Sequence, residues 1–359
     1  MREDSQGQYR SESRMRSSRP MIPISTMRHA IRTSNKQPPS QPRMRSTSSS
    51  VQFRLSSHTP TKSSTSTRWV CRTSRGSSIS ATSELPANDG NSPRSSGVNS
   101  RISVSGLCFP SLDLVSTVDT LQEIGAGRTT LQARKFRSIG WGAGIETVRQ
   151  SGIEVAGLVA SYPETLADRA TWDAIRADLT DTVDAAVALG SPMIYNVTGP
   201  LLDGGRRVSL EAYAELIEPV VSYASDGGVA MAVEPTLSSF AWVSFVHSLA
   251  EVQELDSRTG LGVCLDLRHV WDDPGFQDYL NSAIGRVALV QVGDTVDGAD
   301  GPEPAVPGDG VIPLAERIDR IEKAGYDGIY DLELVGPRID IVGHVESVRR
   351  GVALLESIL

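Results

Sequence analysis

Eight short apolar segments alternate with longer helical patterns from residue 102 onward, and this alternation constrains the fold more than any other feature of the sequence. Runs of β-branched residues are typical of buried strands, and repeated strand-then-helix succession is the pattern of a parallel sheet. The eight predicted strands are ISVSGLCF, TTLQA, IEVAGLVA, PMIYNVTG, VAMAVEP, GVCLD, VALVQVGD and GIYDLEL.

The segments between these strands have helical patterns that end at glycine, as helix C-termini commonly do. Clear examples are ATWDAIRADLTDTVDAAVALG and SLEAYAELIEPVVSYASDGG, and a further helix is predicted in HVESVRRGVALLESIL. Eight strands with their helices match a (β/α)8 barrel, which typically needs ~250 residues. No GxGxxG follows the first strand and no GxxxxGK[ST] occurs, so nothing supports nucleotide binding through a Gly-rich loop. We therefore predict an α/β fold, a (β/α)8 TIM barrel over residues 101–359.

Residues 1–100 differ in composition from the rest of the chain. They carry 16 Lys and Arg against 5 Asp and Glu, whereas residues 101–359 carry 19 basic and 38 acidic residues. Because this Ser- and Arg-rich segment cannot bury enough apolar surface to offset chain entropy, we predict a disordered leader. Its three interpretations are an organelle transit peptide, a nucleic-acid-binding tail and an over-long gene model.

The remaining composition restricts the compartment. No stretch approaches the ~20 apolar residues of a membrane span, so we expect no membrane association. The three cysteines are too few and too scattered for a disulfide framework or a zinc cluster, which indicates a reducing, cytoplasmic compartment.

Oxygen-bearing side chains end four consecutive predicted strands. Glu234 ends the fifth strand, Asp266 the sixth, Gln291 and Asp294 the seventh, and Glu333 the eighth. Catalytic residues of such barrels lie at these strand ends, where clustered buried carboxylates repel each other and resist ionisation. A divalent cation would neutralise them, and hard oxygen ligands favour Mn²⁺ or Mg²⁺.

The motifs around these residues resemble a known family. AVEP, LGVCLDLRHVWDDP, VALVQVGD, PGDGVIPL and AGYDGIYDLEL are similar to the xylose isomerase-like TIM barrels, the sugar phosphate isomerase/epimerase superfamily. The resemblance is strongest over residues 228–336. It implies one divalent metal ion, with Co²⁺ or Zn²⁺ as alternatives to Mn²⁺ and Mg²⁺, bound by Glu234, Asp266, the residue at position 291 and Glu333.

Position 291 departs from the family pattern. The commoner histidine is replaced by Gln291, whose amide oxygen is still a hard ligand. A glutamine at this position also resembles the 3-dehydroshikimate dehydratase branch of the superfamily, so the reaction type stays open.

Two further residues are predicted to contact substrate. His269 follows Asp266 in the pattern D-x-x-H, where the family's histidine contacts a substrate oxygen; the alternative is that His269 only hydrogen-bonds the loop. Asn196, within the fourth predicted strand, is the second predicted contact.

The basic side chain that would bind the substrate is less well defined by the sequence. Relatives often carry an arginine where this chain has Pro304, four residues before the first glycine of PGDG. Arg338 is the predicted substitute, and Arg134 and Lys135 at the second strand end are further candidates. The alternative for each is a solvated surface cation.

The resemblance implies an enzyme that transfers protons next to a carbonyl. We predict a metal-dependent sugar or sugar phosphate isomerase or epimerase that acts through an enediolate, with Glu234 and Glu333 as the acid/base pair. Its substrate would be a small polyol, keto-sugar or cyclitol, and relatives are often dimers or tetramers. The alternatives are a dehydratase of the inosose or 3-dehydroshikimate type and a non-catalytic sugar-binding barrel.

Two other functions have little support in residues 101–359. Their net charge of −19 and their three histidines argue against a relative that cleaves DNA at a trinuclear zinc site. A Schiff-base aldolase needs a buried lysine, and Lys135 and Lys323, which are the lysines of this part of the chain, both lie outside the apolar strands. We therefore expect no nucleic-acid partner.

Overall fold

The eight barrel strands of the computed structural model lie where the sequence segments predict them. The structure describes residues 99–298 and 301–359, so the predicted leader falls outside the described residues apart from its last two positions. The strands are β1 (Ile102–Ser105), β2 (Arg128–Gln132), β3 (Glu154–Val159), β4 (Met193–Asn196), β5 (Ala230–Val233), β6 (Gly262–Asp266), β7 (Val287–Val292), β8 (Asp294–Gly298), β9 (Gly301–Ala305) and β10 (Tyr330–Leu332). Eight of them form a closed parallel barrel in the order β1-β2-β3-β4-β5-β6-β7-β10, which confirms the predicted fold.

Helices connect the barrel strands. They are α1 (Leu114–Glu123), α2 (Ala133–Ile139), α3 (Trp141–Ser151), α4 (Trp172–Leu189), α5 (Arg206–Asp226), α6 (Leu249–Thr259), α7 (Leu267–Val270), α8 (Phe276–Ala283), α9 (Leu314–Lys323), α10 (Pro337–Val342) and α11 (His344–Ile358). The predicted glycine stop of α4 is Gly190, which adopts a left-handed conformation with φ 68°. A residue without Cβ adopts this conformation at little cost, so the helix ends there.

The interior of the barrel is packed rather than hollow. Met193, Tyr195, Cys264 and Leu289 form a buried cluster inside it, while a larger apolar core lies around them. A Cβ on Gly157 of β3 would lie 2.6 Å from the sulfur of Met193, so this glycine makes room for the methionine. Burial on both faces explains why most of the barrel strands are rich in apolar residues.

The barrel closes where the last barrel strand meets the first. Ile102 is the register partner of Tyr330, and the guanidinium of Arg101 forms two 2.8 Å hydrogen bonds to the carboxylate of Glu322. Arg101 also lies 5.3 Å from the ring centre of Tyr330. These contacts tie residues more than 200 positions apart.

The hairpin of β8 and β9 was not predicted from the sequence. The predicted seventh strand ran to Asp294, whereas β7 ends at Val292 and an antiparallel pair follows at the barrel mouth. Pro302 and Pro304 lie in β9, and proline is rare in strands except at edges because it lacks the N–H donor. A two-stranded hairpin consists only of edges and therefore accepts both prolines.

None of the helices within the described residues is both long enough and apolar enough to cross a membrane.

Candidate active site

Four polar side chains lie at one end of the barrel, at the ends of four neighbouring strands. Glu234 directly follows β5, Asp266 ends β6, Gln291 lies in β7 and Glu333 directly follows β10. The strands β5, β6, β7 and β10 are consecutive around the barrel, and Asp266 is the register partner of Gln291. The structure therefore brings the four predicted metal ligands to the carboxyl-terminal edge, where (β/α)8 barrels carry their active sites.

Glu234, Asp266 and His269 form a compact cluster at this edge. One ligand atom from each residue lies within 4.8 Å of the others. The Nδ1 atom of His269 is 3.4 Å from Oε1 of Glu234 and 3.5 Å from Oδ2 of Asp266. The local sequence explains this proximity, because Asp266 caps α7 by accepting a 2.8 Å hydrogen bond from the backbone N–H of Arg268, and the first helical turn then places His269 beside the cap.

In the neutral ring of His269, the neighbouring groups favour the tautomer that is protonated at Nδ1. Nδ1 lies 3.1 Å from the carbonyl oxygen of Pro235, which can only accept, so Nδ1 carries the proton. Nε2 lies 3.2 Å from Nη1 of Arg268, which can only donate, so Nε2 accepts. Neither ring nitrogen then offers a free lone pair to a cation.

Gln291 connects Glu333 to the barrel interior. Its Nε2 donates to the carboxylate of Glu333 and, at 2.9 Å, to the hydroxyl of Tyr195. Its Oε1 accepts a 3.0 Å hydrogen bond from the thiol of Cys264. The amide nitrogen rather than the oxygen therefore faces Glu333, and ligation of a metal by Gln291 requires the amide to turn over.

Burial and mutual repulsion raise the pKa values of the two glutamates. Burial raises the pKa of Glu333 well above its ordinary value, and the neighbouring carboxylates of Glu234 and Asp266 raise it further. Burial also raises the pKa of Glu234, although the hydrogen bond from His269 opposes the shift. For His269, burial lowers the pKa but the charges of Asp266 and Glu234 outweigh it, so the pKa is raised overall. A divalent cation would relieve this repulsion, and the carboxylate-rich donor set fits one.

Two cavities meet at Glu234. The first, of about 410 Å³, is lined by Asp266, His269 and Glu333 together with the apolar side chains of Phe240 and Trp242. The second, of about 360 Å³, extends toward the ends of β2, β3 and β4. Glu234 lines both cavities, so it stands at the junction.

The two other predicted substrate contacts lie in different places. Asn196 is buried in the lining of the 360 Å³ cavity, where its amide donates to the Ser161 carbonyl at 3.2 Å and accepts from the Tyr213 hydroxyl at 2.9 Å. Arg338 is half-exposed and forms a 2.7 Å ion pair with Glu303 of β9. It lines a separate cavity of about 170 Å³ rather than either cavity at the mouth.

Two residues of the candidate site, Arg268 and Tyr195, were not predicted from the sequence. Arg268 lines the 410 Å³ cavity, and its buried Nε has no hydrogen-bond partner among the described residues. Tyr195 lies beneath Glu333 and contacts it at 3.5 Å. The signal for Arg268 was its position inside the D-x-x-H motif, whereas Tyr195 lies within an apolar strand and carried no signal of its own.

Asp294 has a structural role in the loop after β9. Its carboxylate accepts hydrogen bonds of 2.8–3.1 Å from the backbone N–H groups of Thr295, Gly308, Gly310 and Ile312. A Cβ on Gly310 would lie 2.1 Å from Oδ1 of Asp294, so the second glycine of PGDG permits this close approach. The fully engaged carboxylate anchors the loop beside the cavity.

The fold is a closed (β/α)8 barrel that carries a group of carboxylates at the carboxyl ends of its strands. The family model described as "Xylose isomerase-like TIM barrel" matches residues 141–358. The chain belongs to this family. Among curated proteins, it is similar to the "Putative hydroxypyruvate isomerase" of Streptomyces coelicolor, with 28% identity over 167 residues. That match covers 44% of this chain and 58% of the relative, so the chain spans less than two thirds of the relative's length.

Solved structures share the fold at low identity. A protein of Sinorhizobium meliloti 1021 has a TM-score of 0.64 with 23% identity, over 72% of this chain and 98% of that chain. The IOLI protein with a bound zinc atom has a TM-score of 0.61 with 14% identity, over 72% and 97%. D-psicose 3-epimerase of Clostridium cellulolyticum H10 has a TM-score of 0.57 with 16% identity, over 72% and 97%. The "probable 3-DHS dehydratase" of Bacillus anthracis has a TM-score of 0.55 with 12% identity, over 69% and 97%.

Proposed function

We propose that this protein is a divalent-metal-dependent isomerase or epimerase of a small sugar or sugar phosphate. The observation that carries the proposal is the group of buried carboxylates at the junction of the two cavities, where burial and mutual repulsion raise the pKa values of Glu234 and Glu333. Carboxyl groups with raised pKa values are suited to exchanging protons with a substrate near neutral pH. The isomerase named among the relatives supports the same class of reaction.

Glu234, Asp266, Gln291 and Glu333 would hold the metal ion. When bound, it would supply charge stabilisation to a substrate carbonyl and hydroxyl as negative charge develops on them. Asp266 already accepts a backbone hydrogen bond at the start of α7, which fixes its carboxylate. This fixed position supports a ligand role for Asp266 and leaves the proton transfers to the two glutamates.

The proton transfers would be divided between Glu234 and Glu333. One carboxylate takes a proton from the carbon beside the substrate carbonyl, which gives an enediolate, and the other returns a proton to that carbon or its neighbour. Return to the opposite face of the same carbon is epimerisation, and return to the neighbouring carbon is isomerisation. His269 lines the cavity, and a substrate oxygen that replaces the carbonyl of Pro235 would accept the hydrogen bond of its Nδ1.

A dehydratase is the second candidate, because Gln291 occupies the position of the family's histidine. In that reaction the same abstraction is followed by loss of a β-hydroxyl group, which leaves with a proton as water. Product analysis separates the two candidates, since dehydration forms a carbon–carbon double bond and isomerisation does not.

The test combines metal analysis with proton exchange. The purified protein should contain about one equivalent of Mn, Mg, Co or Zn, and it should exchange substrate α-protons with deuterated water in a panel of ketoses, inososes and dehydroshikimate. Removal of the metal by chelator should abolish exchange, and its return should restore it. A protein without stoichiometric metal, or one whose exchange is indifferent to chelator, would contradict the proposal and favour a non-catalytic sugar-binding barrel.

A further inference from the structure

The 360 Å³ cavity beside the carboxylate group has a lining of its own. It includes Glu234 but neither Asp266 nor His269, and it extends over the ends of β2, β3 and β4. A substrate whose reacting carbons lie near Glu234 therefore has room for another group in this direction. The side chains that line the cavity indicate what that group is.

Gln132, the last residue of β2, presents an unpaired amide to this cavity. Its side chain is only 3% exposed, and neither its Oε1 nor its Nε2 has a hydrogen-bond partner among the described residues. Buried amides without partners are rare in folded proteins, and each one calls for an explanation such as a ligand. A Cβ on Gly106 would lie 3.1 Å from Oε1 of Gln132, so the glycine at this position leaves room for the amide.

The structure separates the three cations that were candidates for binding substrate. Lys135 is buried and donates to the carbonyls of Gly106 and Phe109 and to the hydroxyl of Thr117, so its three N–H groups are all in use. Arg338 is paired with Glu303 outside this cavity. Neither side chain is available to a ligand beside Glu234.

Arg134 is in a different situation. It lines the cavity, and it forms neither a hydrogen bond nor an ion pair with any residue in 99–298 or 301–359. The neighbouring Arg137 also lines the cavity, but it is paired with Asp178. The acidic residues of the lining are Glu164 and Glu234, and neither forms an ion pair with Arg134.

We propose that this cavity binds an anionic group of the substrate, a carboxylate or a phosphate, through the guanidinium of Arg134 and the amide of Gln132. An arginine fork matches the oxygens of either anion, and an amide N–H adds a further donor. The substrate class is then an α-hydroxy ketone with an anionic substituent. This inference rests on the proposed function and narrows it.

Three ketols that share the HOCH₂–CO group test the proposal. They are dihydroxyacetone, which is neutral, hydroxypyruvate, which carries a carboxylate, and dihydroxyacetone phosphate. Calorimetric titration of the metal-loaded protein should give at least tenfold tighter binding for one of the two anions than for dihydroxyacetone. The anion that binds tighter distinguishes a carboxylate from a phosphate substrate.

Arg134→Gln should weaken binding of the preferred anion about 10- to 100-fold and leave dihydroxyacetone unchanged. This residue is exposed, so the variant should fold. Gln132→Met, which keeps the volume and removes the amide, should weaken the same ligand. Arg207→Gln on α5 is the control for net charge, because Arg207 is exposed and paired with Glu211, and it should change nothing.

The inference is overturned if the three ketols bind alike, or if Arg134→Gln and Arg207→Gln have the same effect. Deuterium exchange at the hydroxymethyl carbon separates this result from failure of the proposed function. Exchange without any charge preference would retain the isomerase and reject the anionic subsite. Arg134-dependent binding of an anion without exchange in any ketol would retain the subsite and reject the isomerase.

Discussion

The environment of each carboxylate determines its proposed role. Glu333 is partly buried above Gln291 and Tyr195 and accepts hydrogen bonds from both, whereas Asp266 accepts from the backbone N–H of Arg268. A carboxylate held by the backbone is fixed in position and suited to ligating a cation. A carboxyl group with a raised pKa, such as that of Glu333, is suited to carrying a proton.

The first prediction concerns Glu333. Glu333→Gln should lower turnover about 10³-fold even at saturating metal, because the amide cannot exchange a proton with substrate. Burial and the charges of Glu234 and Asp266 disfavour the ionised form of Glu333, so the neutral amide should leave the melting temperature unchanged or raise it. Steady-state kinetics and thermal melts measure both effects. Retained turnover would show that the acid/base pair is wrongly assigned.

The second prediction separates His269 from the proposed metal ligands. Because Nδ1 carries the proton and Nε2 accepts from Arg268, neither nitrogen offers a lone pair to a metal ion, so His269→Asn should leave the metal content unchanged. It should lower turnover about 10- to 100-fold, because a substrate oxygen loses the N–H donor of His269. Asp266→Asn is the matched variant and should weaken metal binding. Metal analysis of the two variants decides between the roles, and loss of metal from His269→Asn would make the histidine a ligand.

At the scale of elements, hydrogen bonds from buried polar side chains hold the segments that carry the candidate site. Asp294 holds the loop after β9, and Asp266 starts α7 directly at the end of β6. Lys135 of α2 ties the segment after β1 to α1 through Gly106, Phe109 and Thr117. The positions of the mouth loops therefore depend on a few buried polar side chains as well as on apolar packing.

The third prediction uses the titration of Lys135. Burial lowers its pKa from 10.5 to about 8, so between these values the unfolded chain binds more protons than the folded one. The contribution of Lys135 to the free energy of unfolding should therefore rise as pH rises through this window. Urea unfolding at pH 7.5 and 9.5 should shift the difference between wild type and Lys135→Met by roughly 1–2 kcal/mol in favour of wild type.

The control for this prediction is Lys323→Met, because Lys323 is exposed and forms an i,i+4 pair with Asp319 on α9. Its difference from wild type should stay nearly constant between the two pH values. A constant difference for Lys135→Met as well would mean that the buried lysine does not titrate in this range.

The sequence predicted the elements in which the pattern of apolar and polar residues agrees with their burial in the structure. Most barrel strands are rich in apolar residues because they are buried on both faces, and Glu234, Asp266 and Glu333 stand out as acids in or directly after such strands. The hairpin of β8 and β9 was not predicted, because the prolines of β9 argue against a strand. The unpaired amide of Gln132 was not predicted either, since the direction of a side chain inside a barrel depends on tertiary packing and not on the local pattern.

At the scale of the whole molecule, the barrel is closed by contacts between its first and last strands. Arg101 bonds to Glu322, and Ile102 pairs with Tyr330, so the fold is complete only when residues far apart in sequence have met. Contacts of such long range slow folding, because loop closure has to precede them.

The fourth prediction concerns the basic leader. A chain that lacks residues 1–96 should keep the melting temperature within about 2 °C and the same metal content, because β1 and its partners lie after that point and a segment poor in apolar residues adds little to a core. A chain that lacks residues 1–105 loses β1 and should not fold. Calorimetry and metal analysis compare the two, and a large loss of stability in the first would assign the leader to the folded domain.

The contact of β10 with β1 closes the barrel strands into a ring, and α11 packs against both of these strands. In a ring no strand is intrinsically the first. The two ends of residues 101–359 could be joined by a linker, and the chain could be reopened in a loop at the opposite end of the barrel. Glu234, Asp266, Gln291 and Glu333 would still follow one another around the mouth. The order of these four residues around the barrel therefore does not depend on where the chain begins, so the barrel is suited to circular permutation.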